Sequence, residues 1–462
     1  MIILKKTNRH FKSFIFICTV IFTNAVTAQN GFTNLCNGKD LIGWKTLGGK
    51  ASFKVEDNVI VGTTVANTKN TFLCTEKEYG DFVLELDIYV EDEEGNSGVQ
   101  TRSHFNAAPN NGEGKLYGRQ CEADPTWRRW TGGIYDEGRR EWLYPMQLNA
   151  AAQNAYKKGD YNHFKIECIG NEMKTWVNGI ATAYVVDTID TKGFIGLQVH
   201  AIGDPSHAGK KVFFKNILIK TTNLKPTPFP SNVYVANFVT NSLTDYEKKD
   251  GWKLLFDGQT HNGWVSTKGN TFPTNGWDIS NGTLSVISSE GKESTNGGDI
   301  VTKEQYSAFD LSFEFKLTPG ANSGVKYFVT LEEKAFGSAI GLEYQVLDDT
   351  LHPDAKLGRD GNRTMASLYD LTKADKQKRF LRPIGAWNCG RVVVYSNNKV
   401  EHYLNGVKVL EYIRGSKEYR DLVAISKYVV WKNFGEAYKG HILLQDHGNE
   451  VSYRSIKIKE LK

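Results

Sequence analysis

The 462 residues include only 11 prolines, 4 methionines and 6 cysteines. No apolar run approaches the ~20 residues that a membrane-crossing helix needs. The longest, Phe14 to Phe22, is too short, so no membrane span is expected. Helical periodicity is nearly absent, which leaves strands to build the core. Of the cysteines, Cys18 falls in that apolar run, leaving Cys36, Cys74, Cys121, Cys168 and Cys389. An odd set cannot close a disulfide framework and its spacings match no metal motif, so buried free thiols are expected. There is no Ser-His-Asp order, phosphate loop, zinc spacing or calcium loop. No cofactor is therefore expected, with a divalent metal left open.

A basic stripe is lacking as well. The N-terminal stretch "MIILKKTNRHFKSFIFICTVIFTNAVTAQN" reads as a secretory signal with Lys5, Lys6, Arg9 and Lys12 before the apolar run and "VTA" ending at Ala28. Cleavage after Ala28 is expected, giving an exported protein, periplasmic or secreted. The signal carries four of the 57 cations and none of the 52 acids, so the remainder is near neutral. That balance argues against a nucleic-acid partner.

What the chain does have is a repeat. "LCNGKDLIGWK" (35–45) answers "LFDGQTHNGWV" (255–265), and "GNSGVQTR" (95–102) answers "ANSGVKYFV" (321–329). "GRQCEAD" (118–124) answers "GLEYQVLD" (341–348), and "GGIYDEG" (132–138) answers "ASLYDLT" (366–372). Period-two alternation in "FVLELDIYV", "FDLSFEFKL" and "RVVVYS", broken by Asn-Gly and Gly-rich turns, predicts antiparallel strands. The expected architecture is all-β: two tandem antiparallel β-sandwich or jelly-roll domains, 29–222 and 242–462, after a signal at 1–28. Residues 223–241 read as a Pro-containing linker, whose apolar "VYVANFV" offers a surface for packing on a domain. Thr244 and Glu247 have capping-box spacing for a short helical turn.

A polar group that both copies place at one strand position marks a candidate site. Asn96 of the first "NSG" matches Asn322 of the second, although a turn or bulge opening a strand is the plainer reading. Two and four residues beyond each glycine lie Gln100 and Arg102, and Lys326 and Phe328, so each copy is expected to set one cation on that face. With Gly118 set against Gly341, Gln120 matches Glu343 and Glu122 matches Gln345, a Glu/Gln pair in exchanged order; Asp348 closes the second stretch. A third strand supplies Gln198 and His200, and Gln445 and His447. Tyr135 with Glu137, and Tyr369, are expected on a loop folding over the same face. The alternative is a hydrogen-bonded polar ladder with no ligand. The pattern suits a polyhydroxylated ligand and does not name a reaction.

At these residues the chain resembles, twice over, the 3-keto-disaccharide hydrolase family, formerly a domain of unknown function (1080), with a concanavalin A-like lectin/glucanase fold. The resemblance rests on "LFDGQTHNGW", "ANSGVKYFV", "GLEYQVLDD", "YLNGV" and "LLQDHG" in the second copy, and on "LCNGKDLIGW", "GNSGVQTR", "TGGIYDEGRREWLYP", "WVNG" and "IGLQVH" in the first. It implies an oligosaccharide or glycoside substrate already oxidised at C3 by a separate dehydrogenase. The ketone acidifies the C2 proton, and its removal lets the C1 aglycone leave by elimination, after which water adds. Such chemistry asks for a base, a cation for the enolate and an acid for the leaving group. Glu343, Lys326 and His447 are the candidates in the second copy, and Glu122, Arg102 and His200 in the first. Asn322, Gln345, Asp348, Tyr369 and Gln445, and Asn96, Gln120, Tyr135, Glu137 and Gln198, are the candidates for holding substrate. A non-catalytic lectin-like protein, or one catalytic copy beside one binding copy, is the alternative.

Overall fold

The computed structural model describes residues 31–108, 114–335 and 338–462. The predicted signal, with Cys18, lies outside the described residues. No helix among them is long and apolar enough to cross a membrane.

Each copy is a sandwich of two antiparallel sheets, and the two copies share one strand order. In the first copy the sheet that carries the polar face runs Glu141–Tyr144, Ile134–Glu137, Lys115–Ala123, Ser97–Asn106, Phe194–Val199, Thr71–Thr75, Trp44–Gly48. In the second it is a five-stranded sheet in the corresponding order: Ser338–Leu347, Asn322–Ala335, His441–Leu444, Ile300–Thr302, Trp264–Ser266. The covering sheets are nine- and eight-stranded and match likewise, with Phe82–Val90 and Phe309–Leu317 at equivalent central places. The inner faces bury the alternating residues, such as Phe82, Leu84, Leu86 and Ile88 against Val99 and Cys121, or Phe309, Leu311, Phe313 and Phe315 against Leu342 and Tyr344. Burial of such apolar side chains drives the assembly at about 25 cal/mol per Å². The five described cysteines are free, and Cys74, Cys121 and Cys168 are buried.

Much of the repeat proves to be scaffold. The Trp44 and Trp264 indoles donate to Leu35 O (2.9 Å) and Leu255 O (2.6 Å), tying each "LCNG" or "LFDG" opening to its own strand. Ser97 and Ser323 of the two "NSG" stretches donate to the carbonyls of Gln198 (2.8 Å) and Gln445 (2.7 Å), locking neighbouring strands in register. Past these serines both strands bulge, with register shifts after Thr101 and after Tyr327. Arg102 and Phe328 sit at the bulges with φ of 47° and 54°.

Residues 223–241 are no free tether. Thr227 N and Oγ1 donate to Glu167, and Ala236–Asn237 adds as a parallel strand beside Ile180–Val186. Thr244 and Glu247 form the predicted capping box on helix Asp245–Lys249. Buried Glu247 also takes hydrogen bonds from Asn237 (2.9 Å) and from Lys457 Nζ (2.5 Å) of the second sandwich. Tyr234 Oη of this segment lies 3.1 Å from Ser312 Oγ, and the sandwiches touch directly through Gln147 and Lys408 N (2.8 Å) and the rings of Trp130 and Phe380.

Candidate active site

In the second copy the pairing of strands decides the site. Lys326 stands directly opposite Glu343, and Gly324 opposite Gln345. Glycine is needed at 324 because a Cβ there would lie 2.2 Å from Glu343 Oε1, so the carboxylate rests over bare backbone. Glu343, Gln345, Lys326, Asn322, Tyr369, Gln445 and His447 all line one cavity of about 350 Å³. Gln445 and His447 lie just past the end of strand His441–Leu444, and still turn into the cavity. Burial raises the Glu343 pKa, and the charges of Lys326, Lys427 and His447 oppose that rise. The Lys326 ammonium donates to Ala339 O (3.2 Å). His447 Nδ1 is buried with no hydrogen-bond partner among the described residues, while its Nε2 lies 3.9 Å from Glu293.

The first copy keeps the frame and changes the chemistry. The position of the Lys326/Glu343 pair is taken by Gln100 opposite Gln120, and Glu122 stands opposite Gly98. Gln100 donates to Gln120 (2.9 Å), Gln120 to Glu122 (2.8 Å) and to Gln198 (3.2 Å), and Asn96 to Glu122 (3.1 Å). This is the polar ladder foreseen as the alternative, and it forms the floor of a larger cavity of about 630 Å³. Burial pushes the Glu122 carboxyl up to about 8 against the amide donors of Gln120 and Asn96. At neutral pH it is mostly the protonated acid. His200 also lines this cavity; its Nδ1 donates to Ala201 O (2.6 Å), leaving Nε2 for a ligand, and burial lowers its pKa.

Three expectations are corrected. Arg102 does not line the cleft: the bulge reverses its parity, and the buried guanidinium donates to Gly80 O, Gly170 O and Asp81. Its counterpart Phe328 is likewise turned into the core, and at the matched strand position the second copy sets Lys326 where the first has Gln100. Asp348 is spent on the turn, accepting from the backbone of Gly320, Thr350 and Leu351. Tyr135 and Glu137 line the cavity from a strand rather than a covering loop. Ile134–Glu137 pairs Gln120 with Tyr135 and continues the sheet. Arg139 and Arg140 in that hairpin are held by Asp136, with Asp190 and Asp187 as further partners.

The model of the 3-keto-alpha-glucoside-1,2-lyase-like domain matches residues 31–220 and again 251–459. The chain belongs to that family. A 3-keto-disaccharide hydrolase of Bacteroides thetaiotaomicron is 36% identical over 233 residues, covering 46% of this chain and 79% of the relative. A solved candidate glycosyl hydrolase of Parabacteroides distasonis is 28% identical and covers 48% of this chain and 100% of its own, with a TM-score of 0.42. The carbohydrate-binding module CBM66 of Bacillus subtilis is 17% identical and covers 41% and 99%, with a TM-score of 0.28.

Both family domains contain site residues that the repeat did not reveal. In the second, Lys427, Tyr428 and Trp431 come from segment 414–440, whose counterpart in the first is only 187–193. His352 and Asp354 come from the turn after Ser338–Leu347, and the His352 ring stands edge-on to that of His447 at 5.7 Å. In the first, Trp127 is 78% exposed at the cavity rim. Arg379 reaches the same cavity from the second sandwich, on the turn Lys378–Phe380.

Proposed function

We propose that the protein is an exported enzyme that cleaves the glycosidic bond of 3-keto-glycosides, with the second sandwich as its catalytic copy and the first as a carbohydrate-holding copy. The observation that carries this reading is the pairing of Glu343 with Lys326 in a cavity that also presents His447. Family membership and the printed activity of the Bacteroides thetaiotaomicron relative support the substrate class. The leader at 1–28 supports export, and a separate dehydrogenase supplies the ketone.

In this mechanism Glu343 takes the C2 proton. A carboxylate whose pKa is raised by burial is a stronger base once ionised, and the neighbouring lysine charge keeps the ionised form accessible. The C–H electron pair becomes the C2–C3 double bond, and the C3 carbonyl pair moves to oxygen as an enolate. Lys326 lends positive charge to that state. When the enolate collapses, the C1–O bond breaks, and the departing oxygen takes a proton from His447. Water then adds to the unsaturated sugar to give the free 3-keto sugar. No second carboxylate at glycosidase spacing is called upon.

The first copy has Gln100 at the place of Lys326, and its glutamate is held by two amide donors and mostly protonated near neutrality. Such a floor donates and accepts hydrogen bonds, as recognition of hydroxyl groups requires. The test is to incubate the full chain with a 3-keto-disaccharide and with its unoxidised parent. Release of sugar from the oxidised substrate alone is expected. Release from neither, with equal binding of both, would replace the enzyme by a binding protein.

A further inference from the structure

The segment 414–440, much longer than its counterpart 187–193 in the first copy, holds helix Lys417–Ala424 and the turn Lys427–Val430. The turn is rigidly placed. Ser426 caps it by accepting from Tyr428 N (3.1 Å), Tyr428 stacks on Phe434 with ring centres 3.9 Å apart, and Lys427 N donates to Asp370 Oδ2 (2.8 Å). Asp370 is itself fixed by Arg363 Nε (2.7 Å), whose Nη1 donates to Asp354 (2.9 Å), and Asp354 accepts from Tyr369 Oη (2.8 Å). The Lys427 ammonium therefore rides on an anchored backbone. It lies 4.1 Å from the centre of the Tyr369 ring and 5.3 Å from that of Tyr428, in the cavity that holds Glu343 and Lys326.

Lys427 has no hydrogen bond or ion pair to its ammonium among the described residues; only the two ring faces meet it. Lys326, by contrast, donates to Ala339 O and stands across the strand from Glu343. The two lysines thus differ in availability: one is engaged with the floor, the other is presented to whatever enters. The residue is exposed overall, yet its amine end has lost hydration beside the rings, and that loss, with Lys326 nearby, lowers its pKa. Glu343 pulls the other way.

Resting on the reaction proposed above, we infer that Lys427 is a catalytic residue whose ammonium donates a hydrogen bond directly to the C3 oxygen as the enolate forms. Lys326, engaged with Ala339 O, adds its charge from the floor both to the ionised Glu343 and to the enolate. The role is electrostatic, and no covalent bond forms between lysine and sugar. It assigns a function to segment 414–440: it carries the enolate's counter-charge into a sandwich that otherwise resembles the first copy.

The test uses the full chain and a 3-keto-disaccharide. Lys427→Met is expected to lower kcat by about 10²-fold or more with KM changed by less than about 3-fold, as for loss of one transition-state donor. Lys427→Arg, which keeps the charge, is expected to recover most of that loss. Removing a cation near Glu343 also lets its pKa rise further, so the acidic limb of the kcat/KM profile should move to higher pH in Lys427→Met and not in Lys427→Arg. A merely structural lysine would not move that limb. Wild-type turnover in Lys427→Met, with Glu343→Gln inactive, overturns the inference and spares the reaction. A sugar adduct on Lys427 trapped as the secondary amine by borohydride reduction overturns the non-covalent role. A wild type that converts no 3-keto-disaccharide overturns both.

Discussion

The two sandwiches set nearly the same strand frame beneath different chemistry. Where one pairs Lys326 with Glu343, the other pairs Gln100 with Gln120. One cavity of about 350 Å³ is walled by Lys427, Tyr428 and Trp431, and the other, of about 630 Å³, is rimmed by Trp127. The scaffold bonds that recur, from the Trp44 and Trp264 indoles and the Ser97 and Ser323 hydroxyls, are what a duplicated fold must keep. The opposing side chains and the length of the segment before Phe194 or His441 are free to vary. A single cross-strand pair and one insertion therefore carry most of the difference between the two cavities.

The strongest way to break this comparison is at the carboxylates. Glu343→Gln should lower turnover on a 3-keto-disaccharide by ~10²–10⁴ with little loss of binding, while Glu122→Gln should leave it within about 3-fold. The reverse ranking in initial-rate assays would make the first copy the catalytic one.

The glycines opposite the two sites sharpen it further. In Gly324→Ala the new Cβ meets Glu343 Oε1 at 2.2 Å, so the carboxylate must move. A displacement of that kind should cost about 10- to 100-fold in kcat. In Gly98→Ala the Cβ meets Gln120 Cδ at 2.6 Å, and turnover should be unchanged although binding in the first cavity weakens. Equal losses of turnover in the two variants would contradict the division of roles.

Glu122 also gives a pH signature. Its folded-state pKa of about 8 lies above the usual 4.5, so the folded state holds a proton that the unfolded chain releases. Its contribution to stability is fully present below about 4.5 and is lost as pH rises to about 8. Denaturant titrations should show wild type losing stability relative to Glu122→Gln over that window, by up to about 1.4 kcal/mol per pH unit. A pH-independent difference would mean that Glu122 is ionised in the fold.

The smallest effect is expected at the rim. Trp127→Ala should weaken binding of the unoxidised disaccharide about 3- to 10-fold in calorimetry, in keeping with the loss of one aromatic contact. Turnover in the second cavity should not change.

Strand alternation and the repeat made the all-β fold, its tandem organisation and the capped turn at Thr244 legible in the sequence. They also led to Glu343, Lys326 and Glu122, because inward and outward positions alternate strictly along an unbroken strand. Arg102 was misplaced for the same reason: a bulge adds a residue and flips every position beyond it, and nothing in "GVQTR" announces one. Tyr135 reads as a loop residue because the Gly-rich "TGGIYDEG" hides a short strand, second from the edge of its sheet. Lys427 and Trp127 escaped altogether. Matching one copy to the other finds what both keep, and it is blind to an insertion or a rim residue that only one possesses. Arg379 could not be found from either copy alone, because it serves the cavity of its neighbour.

The family matches stop at 220 and resume at 251, and a biochemist dissecting the protein would cut there. The residues between would be discarded, and with them the strand Ala236–Asn237 that covers Ile180–Val186. The amino-terminal fragment would then present a bare strand edge beside Tyr184 and Val186, the kind of surface that recruits another chain and aggregates. The carboxy-terminal fragment would keep Lys457 while losing Glu247, its partner across the seam. A junction that looks dispensable by homology is thus a shared gasket, and fragments meant to be assayed separately would best leave residues 221–250 attached to both.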